Sequence, residues 1–119
     1  MAALQAIPGA DIVNGLRITR GNPGRFAHLL RMFSANHCDD MRHLRAALAE
    51  ANRDQAEHIA HGLKGTAGTL CLTEVYRMAT ALNEQIRSDV AVDTILASIP
   101  ELEKALFAVC VAIEGLPDA

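Results

Sequence analysis

Apolar residues recur along most of the chain at steps of three and four, which is the spacing of one face of an α-helix. The longest such run predicts a helix of about 28 residues that has Asn22 as its N-cap, begins at Pro23 and reaches about Ala51. A shorter helix before it is predicted to begin after a cap at Asp11 and to end at Gly21 in a left-handed conformation. At 1.5 Å per residue the long helix would measure about 42 Å and form the spine of the fold.

The rest of the chain has the same periodicity. It predicts a third helix over residues 54–70 that opens with an Asp-x-x-Glu capping box, and a fourth over residues 73–88 with Thr73 as its cap. A short helix over residues 91–99 is expected to break near Pro100, before a last helix. No run has the alternation of a strand, so we predict an all-α fold, an antiparallel four-helix bundle with short additional helices.

The length and composition fit one small helical domain. The chain has 119 residues, half of them apolar, with three Phe, one Tyr and no Trp, so Leu, Ile, Val, Ala and Met must supply most of the core. We expect residues 11–116 to form the domain. Residues 1–10, with Pro8 and Gly9, are expected to be a linker or a cloning remnant, as in a domain cut from a longer protein.

Charge and cysteine content narrow the classes of function. The net charge is -3 with both signs interspersed, which argues against a nucleic-acid partner. No apolar run is long enough to span a membrane and no signal peptide begins the chain, so a soluble cytoplasmic domain is expected. The three cysteines, Cys38, Cys71 and Cys110, are far apart in sequence, which favours reduced thiols over a disulfide or zinc motif.

The predicted third helix separates into two faces when its residues are placed about 100° apart. Its apolar residues fall in a sector roughly 80° wide, and these are Ala56, Ile59, Leu63, Ala67 and Leu70. His61 lies on the opposite side and is predicted to face water. Lys64, Gly65 and Gly68 follow it at i+3, i+4 and i+7, within about 60° of its direction. The histidine is therefore flanked by a cation and by bare backbone.

Three glycines, Gly62, Gly65 and Gly68, lie in this one helix, and each costs about 1 kcal/mol relative to Ala. Missing side chains around one exposed imidazole would let a second protein bring a reactive group close to the ring. Phosphoryl transfer requires such an approach, because the entering and leaving atoms must align across phosphorus. Neutral imidazole is a competent nucleophile, and Lys64 could neutralise the phosphoryl oxygens.

The segment that carries these residues, His-Gly-Leu-Lys-Gly-Thr-Ala-Gly-Thr-Leu over residues 61–70, resembles the signature of the histidine phosphotransfer (HPt) family. The resemblance extends from about Ile7 to Ile113. It includes the entry motif Pro8, Gly9, Asp11, Gly15 and Leu16, and the motif Leu29, Leu30 and Phe33 in the long helix. The chain departs from the family at Cys71, where a glycine is usual, which weakens the turn expected there.

The resemblance implies a phosphorelay intermediate of two-component signal transduction. His61 would accept a phosphoryl group from an aspartate of a receiver domain and donate it back, Lys64 would stabilise the phosphate, and Gly65 would give the partner clearance. The partner would be a response regulator or a hybrid kinase. We place three more residues, Gly68, His58 and Gly62, in the clearance and docking surface.

The same resemblance implies a phosphocarrier rather than an enzyme, with no cofactor or metal of its own and Mg²⁺ on the partner receiver domain. A monomer is expected, either free-standing or as the cytosolic module of a membrane-bound hybrid kinase.

Two other functions stay open from the sequence. The chain could be a helical interaction module that binds a signalling partner without phosphorylation. It could also bind a metal through His58 and His61, which are spaced i and i+3 on one helix. The potential ligands within residues 37–43 spread around the helix axis, so a solvated helix end is the preferred interpretation of that stretch.

Overall fold

The structure, a computed structural model, describes residues 2–117. Its elements are α1 (Ala2–Gln5), α2 (Ile12–Gly15), a 3₁₀ turn (Leu16–Thr19), α3 (Pro23–His37), α4 (Asp40–Ala49), α5 (Arg53–Thr69), α6 (Thr73–Arg87) and α7 (Val92–Glu114). No strand occurs within residues 2–117, so the predicted all-α class is confirmed.

The helices enclose one apolar core. Helix α5 packs against α4 and α6, while α7 packs against α6 and closes the core on α3 and α4. Near the start of α5, Glu57 contacts Arg87 at the end of α6, whereas Gly68 near the end of α5 contacts Tyr76 at the start of α6. Helices α5 and α6 are therefore antiparallel, and α5 lies between two neighbours with its remaining face exposed.

The prediction of one unbroken helix from Pro23 to Ala51 was wrong. Helix α3 ends at His37 and α4 begins at Asp40, within the polar stretch where the apolar periodicity lapses. A ring nitrogen of His37 and a carboxylate oxygen of Asp40 lie 2.7 Å apart across this break, and Asp40 is buried. The backbone leaves the helical conformation at Asp39, with φ -99° and ψ 10°, and the His37–Asp40 contact bridges this turn.

Two predicted helix caps were also wrong. The side chain of Asn52, not Asp54, caps α5 by accepting a hydrogen bond from the Gln55 backbone N–H at 3.1 Å. Ala51 ends the preceding segment in a left-handed conformation with φ 57°, so the new helix begins before the capping box. Thr73 is the first residue of α6 rather than its cap. By contrast, Gly21 has the predicted left-handed conformation.

Pro100 does not break the last helix, contrary to our prediction, because α7 runs continuously from Val92 to Glu114. A proline inside a helix removes one backbone hydrogen bond and costs about 3 kcal/mol. The apolar stripe on both sides of the proline is fully buried, and it consists of Ile95, Ile99, Leu102 and Leu106. Burial of each such side chain contributes about 1.5–3 kcal/mol, so the stripe outweighs the proline.

Residues expected to form a linker lie against the domain. Leu4 and Ile7 are buried in the core. The Gly9 carbonyl accepts a hydrogen bond from the Glu74 backbone N–H at 3.0 Å. Leu4, Ile7 and Gly9 of this segment thus contact the rest of the fold, while Met1 lies outside the described part of the chain. The division of the chain at residue 11 stays a prediction.

The turn between α5 and α6 forms even though Cys71 replaces the glycine usual in the family. Cys71 has a left-handed backbone with φ 57°, and the Leu72 N–H donates to the Ala67 carbonyl at 2.9 Å, as in a Schellman motif. The Cys71 carbonyl then accepts a hydrogen bond from the Asp11 backbone N–H at 2.8 Å. The turn is therefore intact, and the cost of replacing glycine is backbone strain at Cys71.

We expect Cys71→Gly to raise the free energy of unfolding by about 1 kcal/mol, because a left-handed conformation costs an L-residue about 1–2 kcal/mol and the half-buried thiol offsets only part of that. Urea denaturation measures the change. Cys71→Ala is the control, since it removes the thiol but keeps the strain, and it should give no gain. Equal stability of the two variants would contradict this explanation.

Candidate functional site

Helix α5 has one buried and one exposed face. Its buried residues are Ala56, Ala60, Leu63 and Ala67, followed by Leu70. The predicted stripe is confirmed except at Ile59, which is only partly buried, while Ala60 belongs to the stripe instead. His61 is exposed on the other side of the helix, as its position on the helical wheel predicts.

Two of the three glycines leave the backbone of this exposed face uncovered. A Cβ atom placed on Gly62 or Gly65 would meet nothing within 4 Å. The carbonyls of both residues accept hydrogen bonds from threonine hydroxyls one turn later, at 3.1 Å from Thr66 and 3.1 Å from Thr69. Packing within the chain therefore does not explain glycine at either position. Each glycine destabilises the helix by about 1 kcal/mol, so another reason for its presence is needed.

Gly68 has a different surrounding. A Cβ atom there would lie 2.9 Å from two ring atoms of Tyr76, so the absence of a side chain lets the α6 tyrosine pack on α5. Packing within the chain thus favours glycine at position 68, and its assignment to partner clearance stays a prediction.

Two cations lie near His61, one on α5 itself and one on α6. Lys64 is half-buried one turn after the histidine, and no carboxylate within residues 2–117 pairs with it. Arg87, at the end of α6, has its Nε 3.6 Å from a carboxylate oxygen of Glu57. Lys64 is thus available for an anion, whereas Arg87 is held by a neighbour.

Arg87 also lines a recess with His61. This recess has a volume of about 440 Å³, and its lining residues are Asp54, Glu57, His58, His61 and Arg87. The sequence analysis missed Arg87 because it comes from another helix and belongs to no local motif. Its position in the last turn of α6, opposite the first turns of an antiparallel α5, was the available signal.

A second, mostly apolar groove lies between α5 and α3, begins one turn after His61 at Gly65, and has a volume of about 330 Å³. Gly65, Thr66 and Thr69 form its α5 side. Its apolar residues include Ile18, which is 45% exposed, and Met32, which is 48% exposed. We call it the Gly65 groove. Exposed apolar side chains beside a bare helix backbone can be covered by a second protein.

The remaining candidate groups are the cysteines and the possible metal ligands. Burial, together with a contact to the Cys38 thiol, raises the pKa of the Cys110 thiol to about 12, which favours its protonated form. Among the described residues, no three His, Cys, Asp or Glu side chains are placed to hold a metal ion. Nor is any helix within residues 2–117 long and apolar enough to cross a membrane.

Comparison with protein families identifies a matching family model. The model described as "Hpt domain" matches residues 28–112, which is more than half of the chain. This segment includes α5 and the exposed face around His61. Comparison with the curated proteins and with the solved structures gives no significant match.

Proposed function

Because the chain belongs to the Hpt domain family, which carries phosphoryl groups in two-component signalling, we propose that it is a phosphorelay intermediate. His61 takes a phosphoryl group from an aspartate of a receiver domain and returns it to such an aspartate. The observation that supports this most strongly is the position of His61, exposed on a face of α5 where the Gly62 and Gly65 backbone is uncovered.

The proposed transfer needs little from this chain beyond a nucleophile and positive charge. A lone pair of the neutral imidazole attacks phosphorus, a new N–P bond forms, and the P–O bond of the aspartyl phosphate breaks as the carboxylate leaves with its electron pair. Lys64 neutralises the phosphoryl oxygens. The reverse reaction returns the group, because the N–P bond is itself labile. Most of the catalysis, including the Mg²⁺ ion, belongs to the receiver domain.

The Gly65 groove supports a docking role for the side of His61 that faces α3. A receiver domain that covers the groove would place its aspartate over the bare backbone beside the histidine. His58 and Gly62 would lie at the edge of the same interface. We also infer that α3 with α4, α5, α6 and α7 form an antiparallel four-helix bundle, and that the chain acts as a monomeric cytosolic carrier, free-standing or within a hybrid kinase.

A charge placed in the Gly65 groove should weaken docking. We expect Met32→Glu to raise the dissociation constant for the receiver domain about tenfold, or about 1.4 kcal/mol, because the variant leaves a carboxylate without a partner in an apolar interface. Calorimetric titration measures the change. Val111→Glu is the matched control, since Val111 is 50% exposed on α7 and outside the groove. An equal loss in both variants, or no loss in Met32→Glu, would place the docking surface elsewhere.

The transfer itself is tested by incubating the wild-type chain with each receiver domain of its own organism after radiolabelled phosphorylation of the receiver. We expect label to move to the chain in a form that acid removes and base does not. An interaction module, the function that the Gly65 groove alone would also support, would bind the receiver and take up no label. Tight binding of zinc would instead favour the metal-binding alternative.

A further inference from the structure

The two cations beside His61 differ in what they contact before any phosphoryl group arrives. Lys64 has no carboxylate partner among the described residues, whereas Arg87 is paired with Glu57 at 3.6 Å. Glu57 lies one turn before His61 on the exposed side of α5, and Glu57, Arg87 and His61 line the same recess. A phosphoryl group on His61 would therefore share a small volume with the Glu57–Arg87 pair.

The pair is weak enough to be broken. The side chains of Arg87 and Glu57 are 58% and 43% exposed, and ion pairs this open to solvent are strongly screened. A phosphoryl group carries about two negative charges and three acceptor oxygens. A guanidinium can donate two parallel hydrogen bonds to it, which is stronger than a single long contact with a carboxylate. Arg87 should therefore prefer the phosphoryl group to Glu57.

The exchange affects the stability of the phosphorylated form, because the recess already contains acidic residues. Asp54 and Glu57 both line it, so a phosphoryl group on His61 enters a space that already contains two carboxylates. Like charges at close range destabilise the phosphorylated form, and Lys64 alone supplies one positive charge. Arg87, once it leaves Glu57, supplies the second.

We propose that Arg87 is a second phosphate-binding residue, which exchanges its contact with Glu57 for the oxygens of phosphorylated His61. Glu57 opposes this exchange and so lowers the share of phosphoryl groups that the chain retains. The inference depends on the proposed phosphocarrier function. The Glu57–Arg87 pair thus sets how readily His61 gives its phosphoryl group back to an aspartate.

The test is the equilibrium partition of label between the chain and a receiver domain. The partition depends only on the free-energy difference between phosphorylated and unphosphorylated forms, so changes in docking rate do not enter it. We expect Arg87→Gln to lower the equilibrium ratio of phosphohistidine to aspartyl phosphate about fivefold. Glu57→Gln should raise that ratio by a similar factor.

Helix α6, which carries Arg87, also supplies a control ion pair. Arg77 and Glu74 form an ion pair at 2.8 Å with side chains 62% and 48% exposed, and neither lines the recess around His61. Arg77→Gln and Glu74→Gln should leave the ratio unchanged. A second measurement follows the Arg87 Nε–H resonance, which should shift on phosphorylation of the wild type, while that of Arg77 should not.

Each outcome has one interpretation. If the wild type takes up no label, the phosphocarrier function is wrong. If the wild type is labelled but Arg87→Gln has the wild-type ratio, Arg87 does not bind the phosphoryl group and the inference is wrong. It is also wrong if Glu57→Gln lowers the ratio, since Glu57 would then support the phosphorylated form.

Discussion

His61→Gln is expected to abolish labelling of the chain by a phosphorylated receiver domain. Glutamine has a side chain of similar reach but no nitrogen lone pair that can attack phosphorus, because its amide nitrogen is conjugated with the carbonyl. His61 is exposed, so the substitution should change the free energy of unfolding by no more than about 0.5 kcal/mol. Transfer of radiolabel, measured beside a urea denaturation curve, separates loss of the nucleophile from loss of the fold.

His58→Gln is the matched control for this loss. His58 is also exposed, lies one turn earlier on α5 and lines the same recess as His61. We expect this variant to accept label in the same amount as the wild type, with a change only in rate if His58 contacts the partner. Label that persists in His61→Gln, or that disappears in His58→Gln alone, would assign the nucleophile to another residue.

Gly65→Leu is expected to slow transfer at least tenfold, which corresponds to about 1.4 kcal/mol in the activation free energy. The leucine side chain would project from the bare face beside His61 and into the mouth of the Gly65 groove, where the receiver must approach. The same variant should be more stable than the wild type by about 0.5–1 kcal/mol, because leucine favours a helix over glycine and a Cβ atom there meets nothing within 4 Å. A variant that is more stable but transfers the phosphoryl group more slowly would indicate that Gly65 serves function rather than folding.

Gly62→Leu tests whether the loss in transfer rate depends on the position of the leucine or only on the gain in helix stability. Gly62 is equally open, but it lies about 100° around the helix from His61 and does not line the Gly65 groove. We expect the same gain in stability with a smaller loss in rate. Equal transfer by Gly65→Leu and the wild type would remove the clearance argument.

The helical class and the orientation of His61 could be predicted from the sequence, because both depend on local periodicity. The face of α5 opposite its apolar residues is exposed whatever the helix packs against. Even there, the exact centre of the stripe depended on the neighbours, since Ala60 is buried and Ile59 only partly so.

The wrong predictions of helix boundaries concern signals that compete with the apolar periodicity, some of them local and some tertiary. Pro100 is a strong helix-breaking signal, yet buried residues on both sides keep α7 continuous. The break after His37 lies at Asp39, beside a local contact between His37 and Asp40 that the apolar pattern does not encode. Local propensity is a weak guide wherever several buried side chains oppose it.

Arg87 and the Gly65 groove could not be predicted from any one segment. Arg87 reaches the recess around His61 only because α6 returns antiparallel to α5, and the groove combines residues from α3, α5 and the 3₁₀ turn. The missing information in both cases is which helices are neighbours and in what register. Gly68 shows the same dependence, since its contact with Tyr76 follows from the packing of α6 on α5.

The central claim is that His61 carries the phosphoryl group, and the most direct measurement locates that group in the wild-type chain. The chain is phosphorylated by a receiver domain, kept at alkaline pH to preserve the N–P bond, cleaved into peptides and fragmented in a mass spectrometer. We predict a single phosphoryl group, on His61. A phosphoryl group on His58 or on any other residue, with His61 unmodified, would contradict the account.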